Sequence, residues 1–232
     1  MAYLRRFTSF LATLVALFTV LAVNVPGAVA MPLHPAQETD GGSGETYVIA
    51  TDTTFAPFEF RDSSGELTGI DIKIMEAVAE DQGFQVEWCS LGFNAALQAL
   101  SADQADGVIA GMSITDERKE VYDFSDPYFT GTMTLAVNED QADEIQSWDD
   151  LQDKRLVVKT GSMSEEVARE RQDQYGYEIT SLDQTTTLVE SVKSGNADVL
   201  MDDYPVIAYG VQQGSGLVTV VSRSRPATTV SL

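Results

Sequence analysis

The 232-residue sequence contains one cysteine, Cys89, and one histidine, His34. This scarcity excludes an internal disulfide, a zinc site of cysteines and histidines, and a histidine-based catalytic triad within the fold. Basic residues are also few, since 14 Lys and Arg stand against 36 Asp and Glu and leave a net charge of −22. A surface this acidic repels phosphate backbones. We therefore expect no nucleic-acid partner, no metal and no cofactor.

The amino terminus has the pattern of an export signal. Arg5 and Arg6 precede an uncharged apolar run at 7–23, and Ala28-Val29-Ala30 forms a small-residue cleavage site. We expect cleavage after Ala30 and a periplasmic or other extracytoplasmic location, with no cysteine beside the site to carry a lipid. The alternative is an uncleaved membrane anchor, because an apolar run of 17 residues is just long enough to span a bilayer.

Residues 31–45 are polar and contain several Pro and Gly, which is typical of a flexible tether. His34 lies in this tether, and we expect it to have no function. The folded part is predicted to begin at Thr46, and its length and 44% hydrophobic content favour one or two compact domains.

From Thr46 onward, short apolar runs alternate with amphipathic helical stretches, which predicts an α/β fold. The order begins again near residue 132, so we expect a first lobe at 46–131 and a second at 132–221. The predicted strands are 47–51, 86–91, 107–112, 132–137, 156–159, 179–182 and 198–201. The predicted helices begin near Ile70, Asn94, Thr115, Ser164, Thr187 and Pro205.

Ligands of open α/β sheets bind beyond the carboxyl ends of the strands. The segment GMSITDER at 111–118 supplies a glycine, two hydroxyls and Arg118 at a helix start, a combination suited to a carboxylate. The alternative is that Arg118 only pairs with Asp116 or Asp123 on the surface.

The second lobe offers Lys159 after one strand and Asp202-Asp203 after another. An aspartate at a strand end can hold an ammonium group or can simply cap its own loop. The run Lys159-Thr160-Gly161 lacks the glycine spacing of a phosphate loop. Four aromatics suit either a cleft or the core: Phe55, Phe58, Phe60 and Phe93.

Several ordered segments together resemble one family. They are ATDTTFAPFEF (50–60), GIDIKIMEAVAE (69–80), AGMSITDERKEVYDFSDPYF (110–129), VVKTGS (157–162) and DVLMDDYP (198–205). From about Thr46 to about Val221 the chain resembles the extracytoplasmic polar amino-acid-binding proteins of ABC importers, solute-binding protein family 3, and most closely the glutamine-binding kind.

The resemblance implies a two-lobe, hinged, periplasmic-binding-protein-like fold (type II) that closes on a free amino acid. Arg118 would take the ligand's α-carboxylate with the backbone at Gly111 and the hydroxyl of Ser113, and Asp203 would take its α-ammonium group. Phe55 and Phe93 would sandwich the ligand. Asp52 and Lys159 would mark a glutamine-type side-chain pocket. The expected ligand-binding residues are Asp52, Phe55, Phe93, Gly111, Ser113, Arg118, Lys159, Ser162 and Asp203.

Implied partners are a free L-amino acid, glutamine or a similar polar one, and the importer's membrane permease, with the binding protein itself a monomer. Met163 departs from the family's usual GTGS loop. A larger departure is the atypical tail at 222–232, from which we expect a truncated chain without the strand that returns to lobe 1.

Two alternatives use the same fold. One is an enzyme, a dehydratase or a murein-acting protein, with Glu59 or Asp202 as its acid, although no nucleophile with a base is visible. The other is the ligand-sensing module of a receptor or permease fusion. We expect a binding protein rather than an enzyme.

Overall fold

The computed structural model describes residues 44–220 and the backbone of 227–231. The predicted signal, its cleavage site and nearly all of the tether lie outside the described residues. The strands of the described part are β1 Thr46–Thr51, β2 Thr54–Phe55, β3 Glu59–Arg61, β4 Leu67–Thr68, β5 Gln85–Ser90, β6 Gly107–Val108, β7 Met112–Ser113, β8 Phe129–Asn138, β9 Arg155–Lys159, β10 Glu178–Leu182, β11 Val199–Asp203, β12 Leu217–Val220 and β13 Ala227–Ser231. Its α-helices are α1 Ile70–Gln82, α2 Phe93–Ser101, α3 Asp116–Lys119, α4 Met163–Tyr175, α5 Thr185–Lys193 and α6 Tyr204–Gln212. Of these residues, no helix combines the length and the apolar character that crossing a bilayer requires.

The first sheet is parallel, with β1 between β5 and β6. Successive side chains of β1 point to opposite faces, as in any strand. Ile49 packs with Met75 of α1 on one face, and Ala50 packs with Ala96 of α2 on the other. The sheet is therefore covered by a helix on each side, as the alternating pattern of the sequence predicts.

The second sheet has the order β10-β9-β11-β8-β13-β7, and β12 also pairs with β8. The parallel strands β9, β10 and β11 follow the βα pattern, whereas β8 is antiparallel to β11, β12 and β13. The side chains of β9 alternate between two apolar clusters, with Leu156 and Val158 in one and Val157 in the other. This buried strand ends at Lys159, which brings a charged group to the edge of the sheet.

Local residue types explain several helix ends. α1 ends at Gly83, which has φ +75° in the left-handed region that glycine adopts readily. The Thr115 hydroxyl caps α3 by accepting from the Arg118 N–H, and the Ser162 hydroxyl caps α4 by accepting from the Glu165 N–H.

The predicted continuous strand at 107–112 is wrong. It is broken into β6 and β7, because Gly111 has φ +55° and turns the chain between them. A Cβ at this position would lie 2.7 Å from the Phe55 ring. The run looked like one buried strand because it is apolar, and apolarity carries no information on the sign of φ.

The expectation of a missing return strand is also wrong for the described backbone. β13, within the predicted atypical tail, pairs with the first half of β8 (Ala227 with Thr132 through Val230 with Phe129). It then pairs with β7, where Val230 lies opposite Ser113. The chain therefore runs back beside β8 to the segment that precedes it. The predicted lobe boundary at 131/132 falls inside β8 and stays a prediction.

We expect Val199→Ala to lower the free energy of unfolding by about 2 kcal/mol, because it removes buried methyl groups and leaves a cavity. Val199 is the fully buried first residue of β11 in the second sheet, whereas Val121 is 69% exposed. Val121→Ala is therefore the matched control and should change stability by less than about 0.5 kcal/mol. Urea unfolding of both variants measures this. Equal losses in the two variants would contradict the placement of this core.

Candidate functional site

A cleft lies where polar segments that precede β8 in the chain meet polar segments that follow it. The space inside the cleft, including the solvent at its open mouth, is about 340 Å³. Its lining consists of Phe55, Phe93, Ala110, Gly111, Ser113, Arg118, Lys159, Ser162, Met163, Ser164, Asp202 and Asp203. The structure thus brings together eight of the nine predicted ligand-binding residues, and the ninth, Asp52, is paired with Lys159.

Strand ends position several of these side chains. Lys159 is the last residue of β9, Asp203 is the last of β11, and Ser113 is the last of β7. The carboxyl ends of strands are where open α/β sheets bind ligands, because loops and helix starts converge there. The location of the cleft therefore follows from the topology.

Arg118 lines the cleft and donates hydrogen bonds to two backbone carbonyls, one from before β8 in the chain and one from after it. Its Nη1 donates to the Ser113 carbonyl at 2.9 Å and its Nη2 donates to the Gly161 carbonyl at 3.1 Å. The guanidinium also lies 5.8 Å from the centre of the Phe93 ring. Burial lowers the pKa of Arg118 below its ordinary value, yet arginine stays charged in proteins. Because a guanidinium has five N–H donors, this group retains donors for an anion.

The backbone at Gly111 has a different partner from the one that the resemblance implied. Its N–H donates to Asp71 Oδ2 at 2.7 Å, inside the protein. In this geometry the N–H is directed to a buried carboxylate and not to a ligand carboxylate. Ser113 and Arg118 remain the predicted anion-binding groups of this wall.

Lys159 also lines the cleft, and its Nζ forms an ion pair with Asp52 Oδ2. Both side chains are almost fully buried, with 3% and 1% exposed. Lys159 Nζ also lies 3.3 Å from Thr185 Oγ1 and 4.5 Å from the centre of the Phe55 ring. The second oxygen of Asp52 accepts from the Thr54 N–H at 3.0 Å. Asp52 is therefore engaged with protein groups, and Lys159 is the member of the pair that reaches the cleft.

Asp202 is a functional candidate that the sequence indicated only for the enzyme alternative. It lines the cleft, is 2% exposed, and accepts the Asp203 N–H at 2.9 Å through Oδ1. Its Oδ2 has no hydrogen-bond partner among the described residues. Burial raises the pKa of Asp202 to about 6, and the nearby charge of Lys159 opposes that rise. The adjacent residues Asp202 and Asp203 indicate an acidic site in the sequence. The sequence alone does not say which of the two carboxylates faces the cleft.

The remaining lining residues shape the cleft. Phe55 and Phe93 are each 6% exposed, and each contacts a cation of the site. The Ser162 hydroxyl donates to the Lys159 carbonyl at 2.7 Å, so it is held by its own loop. Ala110, Met163 and Ser164 were not predicted. In the part of the chain that the structure describes, no three His, Cys, Asp or Glu side chains are gathered to hold a metal ion.

Comparisons with known proteins show which sequences and folds this chain is similar to. The sequence profile of the family described as "Bacterial extracellular solute-binding proteins, family 3" matches residues 47–170. The arginine-binding extracellular protein ArtP of Bacillus subtilis (strain 168) is 32% identical over 151 residues, which cover 65% of this chain and 58% of ArtP. The chain spans about three fifths of the length of the curated relatives it matches.

Two solved structures extend the likeness to the fold. An ancestral arginine-binding protein bound to glutamine is 35% identical, with a TM-score of 0.71, and covers 80% of this chain and 83% of its own. An ancestral amino acid-binding protein, a precursor of cyclohexadienyl dehydratase, is 34% identical, with a TM-score of 0.73 and a coverage of 80% of each chain. The predicted α/β periplasmic-binding-protein-like fold is thereby confirmed, and the chain belongs to the bacterial extracellular solute-binding proteins, family 3.

Proposed function

We propose that this protein captures a free polar amino acid outside the cytoplasm, with glutamine preferred, and delivers it to the permease of an ABC importer. The observation that carries the proposal is the pair of opposite charges in one cleft: Arg118 suits an α-carboxylate, and Asp203 suits an α-ammonium group. Charge-assisted hydrogen bonds contribute roughly 1.5–3 kcal/mol each. A few of them, less the ordering costs, reach the ~8 kcal/mol of a micromolar dissociation constant.

The preference for glutamine rests on the part of the cleft that contains Lys159 and Asp202. Lys159 is a donor and the Oδ2 of Asp202 is an acceptor, and a primary amide offers the complementary oxygen and N–H groups. The expected acceptor was Asp52, and Asp202 takes this role in the proposal because Asp52 is engaged by Lys159.

Arginine is the second candidate ligand. Two acids, Asp52 and Asp202, lie close to the single cation Lys159, so a cationic ligand side chain would find more acidic than basic groups there. The relatives named above as arginine-binding support this candidate, and the ancestral arginine-binding protein bound to glutamine supports both.

The export step, the extracytoplasmic location and the monomeric state belong to the proposal. The enzyme alternative loses one of its two acids, because Glu59 is fully buried and is absent from the cleft lining. Asp202 remains as its candidate acid, and the dehydratase precursor among the similar structures is the observation that favours it.

A thermal-shift screen of the twenty amino acids against residues 31–232 tests the proposal, since a ligand that binds the folded state raises the melting temperature. We expect glutamine to give the largest shift and arginine or another polar amino acid the next. If a branched apolar amino acid gave the largest shift, this would contradict the assignment of Lys159 and Asp202 to the ligand's side chain. No shift from any amino acid would contradict amino-acid capture itself.

Arg118→Ala and Asp203→Ala should each weaken binding of the preferred amino acid by about 100-fold or more, because each leaves a ligand charge buried without its partner. Isothermal titration calorimetry measures the loss. The matched controls are Arg61→Ala and Asp173→Ala, both exposed and outside the cleft. Affinity close to the wild-type value in either cleft variant would place that residue on a solvated face.

Asp202→Asn should change how stability depends on pH. Because the folded-state pKa of about 6 exceeds the ordinary value of 3.8, the folded protein binds more protons than the unfolded chain between these values. Wild-type stability should therefore fall as pH rises through that window, by at most about 3 kcal/mol. The asparagine variant should lose this contribution. Urea unfolding at about pH 4 and about pH 7 measures it, with exposed Asp173→Asn as a control. An unchanged pH dependence in Asp202→Asn would contradict the burial argument.

A further inference from the structure

The carboxylate of Glu165 connects a turn beside the cleft to a strand of the second sheet. Glu165 lies in the first turn of α4, and its side chain is 14% exposed. Its Oε2 accepts the Gly161 N–H at 2.6 Å, and its Oε1 accepts from the Ser181 hydroxyl and from Arg169 Nη2, each at 2.6 Å. Ser181 belongs to β10, so Glu165 is itself held by the sheet.

The contact with Gly161 is the one that leads to the cleft. Gly161 belongs to the turn at 159–162, in which the Ser162 N–H donates to the Lys159 carbonyl at 3.2 Å. In a trans peptide the N–H and the C=O of the same unit point in opposite directions. The Gly161 carbonyl, in the same peptide as the Ser162 N–H, therefore points out of the turn, where it accepts from Arg118 Nη2 at 3.1 Å.

The direction of this carbonyl depends on the backbone conformation of the turn. Turns with positive and with negative φ at their third residue differ in the orientation of the central peptide. Gly161 is the third residue and has φ +72°. The central peptide carries the Gly161 N–H, which is the group that Glu165 accepts. Glu165 therefore stabilises the orientation seen here. A Cβ at Gly161 would lie 3.3 Å from Asn94 Oδ1, so the turn also packs closely against α2.

The orientation of Arg118 depends in turn on the Gly161 carbonyl. A guanidinium is planar, and it grips a carboxylate with two parallel hydrogen bonds only when its plane is correctly oriented. The Ser113 carbonyl accepts from Nη1 at 2.9 Å, and the Gly161 carbonyl accepts from Nη2. Two acceptors on different nitrogens fix the plane of a rigid group. With Ser113 alone, the group would be free to rotate about one hydrogen bond.

We propose that Glu165 is a positioning residue for ligand capture: by accepting the Gly161 N–H, it keeps the Gly161 carbonyl on Arg118 and so orients the guanidinium for the ligand's α-carboxylate. Glu165 is absent from the cleft lining, so it acts through Gly161 and Arg118. The inference rests on the proposed function, because it adds a residue outside the cleft to the recognition of the carboxyl end of the ligand.

The charge of Glu165 makes this inference testable by the sign of an effect. A negative charge beside an anion-binding site repels a ligand carboxylate, so removal of the charge alone would strengthen binding. Loss of the positioning contact would weaken binding. The two explanations therefore predict opposite changes in affinity for Glu165→Ala.

The test compares two ligands that differ only at the α-carboxyl group: the amino acid with the largest thermal shift and its α-carboxamide. Calorimetry or ligand-observed NMR measures both affinities. Glu165→Ala should weaken the amino acid by about 10-fold or more and the carboxamide by less than about 3-fold, because the lost orientation affects hydrogen bonds to a charged group. A merely structural role would weaken both ligands equally and leave the ratio of affinities unchanged.

A double-mutant cycle gives a second readout. In the Arg118→Ala background, Glu165→Ala should cause no further loss of affinity, because the group that it positions is gone. Glu165→Gln keeps an acceptor for the Gly161 N–H and should bind the amino acid within about 3-fold of the wild type. The matched control is Glu170→Ala, exposed on the same helix, which should leave both affinities unchanged.

Each outcome decides between the explanations. Tighter binding or an unchanged ratio in Glu165→Ala overturns the inference, and so does an additive loss in the double variant. If Glu165→Ala does not fold, Glu165→Asp replaces it, because its carboxylate is one methylene too short for the Gly161 N–H, and a wild-type ratio there overturns the inference. A wild-type protein that binds no amino acid overturns the proposed function instead.

Discussion

The buried ion pair between Asp52 and Lys159 is the interaction on which the geometry of the cleft depends. Asp52 directly follows β1 of the first sheet, and Lys159 is the last residue of β9 in the second sheet. Two charges removed from water require each other, because separating them inside the protein would leave both unpaired. The pair therefore connects the ends of two strands from different sheets.

Two further hydrogen bonds connect segments that precede β8 in the chain with segments that follow it, and both have uncharged acceptors. The Arg118 guanidinium donates to the Gly161 carbonyl, and the Thr185 N–H donates to the Thr54 hydroxyl at 3.2 Å. Since every one of these contacts is polar and made at the end of a strand or helix, the cleft is lined by groups whose directions are already set. A site of this kind binds by pre-organised charge more than by apolar area.

Buried acids surround the cleft without making it uniformly negative. Asp52 is paired with Lys159, and burial together with the charge of Asp71 raises the pKa of Glu59 well above its usual range. Asp202 has a pKa of about 6 because burial opposes its ionisation, so it is charged at neutral pH and close to the point of losing that charge. The acidic composition of the chain is thus divided between a solvated surface and a few carboxylates whose ionisation depends on their neighbours.

Local patterns in the sequence predicted the strands β1, β5 and β8–β11, the six α-helices, the cap at Thr115 and the end of α1 at Gly83, and they indicated most of the cleft lining. These features depend on residues close together in the chain. Tertiary structure alone decided that the run at 107–112 breaks at Gly111, that the tail forms β13 beside β8 and that the Gly111 N–H donates to Asp71. It also decided that Asp202 has one buried oxygen without a hydrogen-bond partner among the described residues, while Asp52 is paired with Lys159. Each of these outcomes is set by a partner at least 40 residues away or by burial from several elements at once. A local pattern of residues carries information on neither.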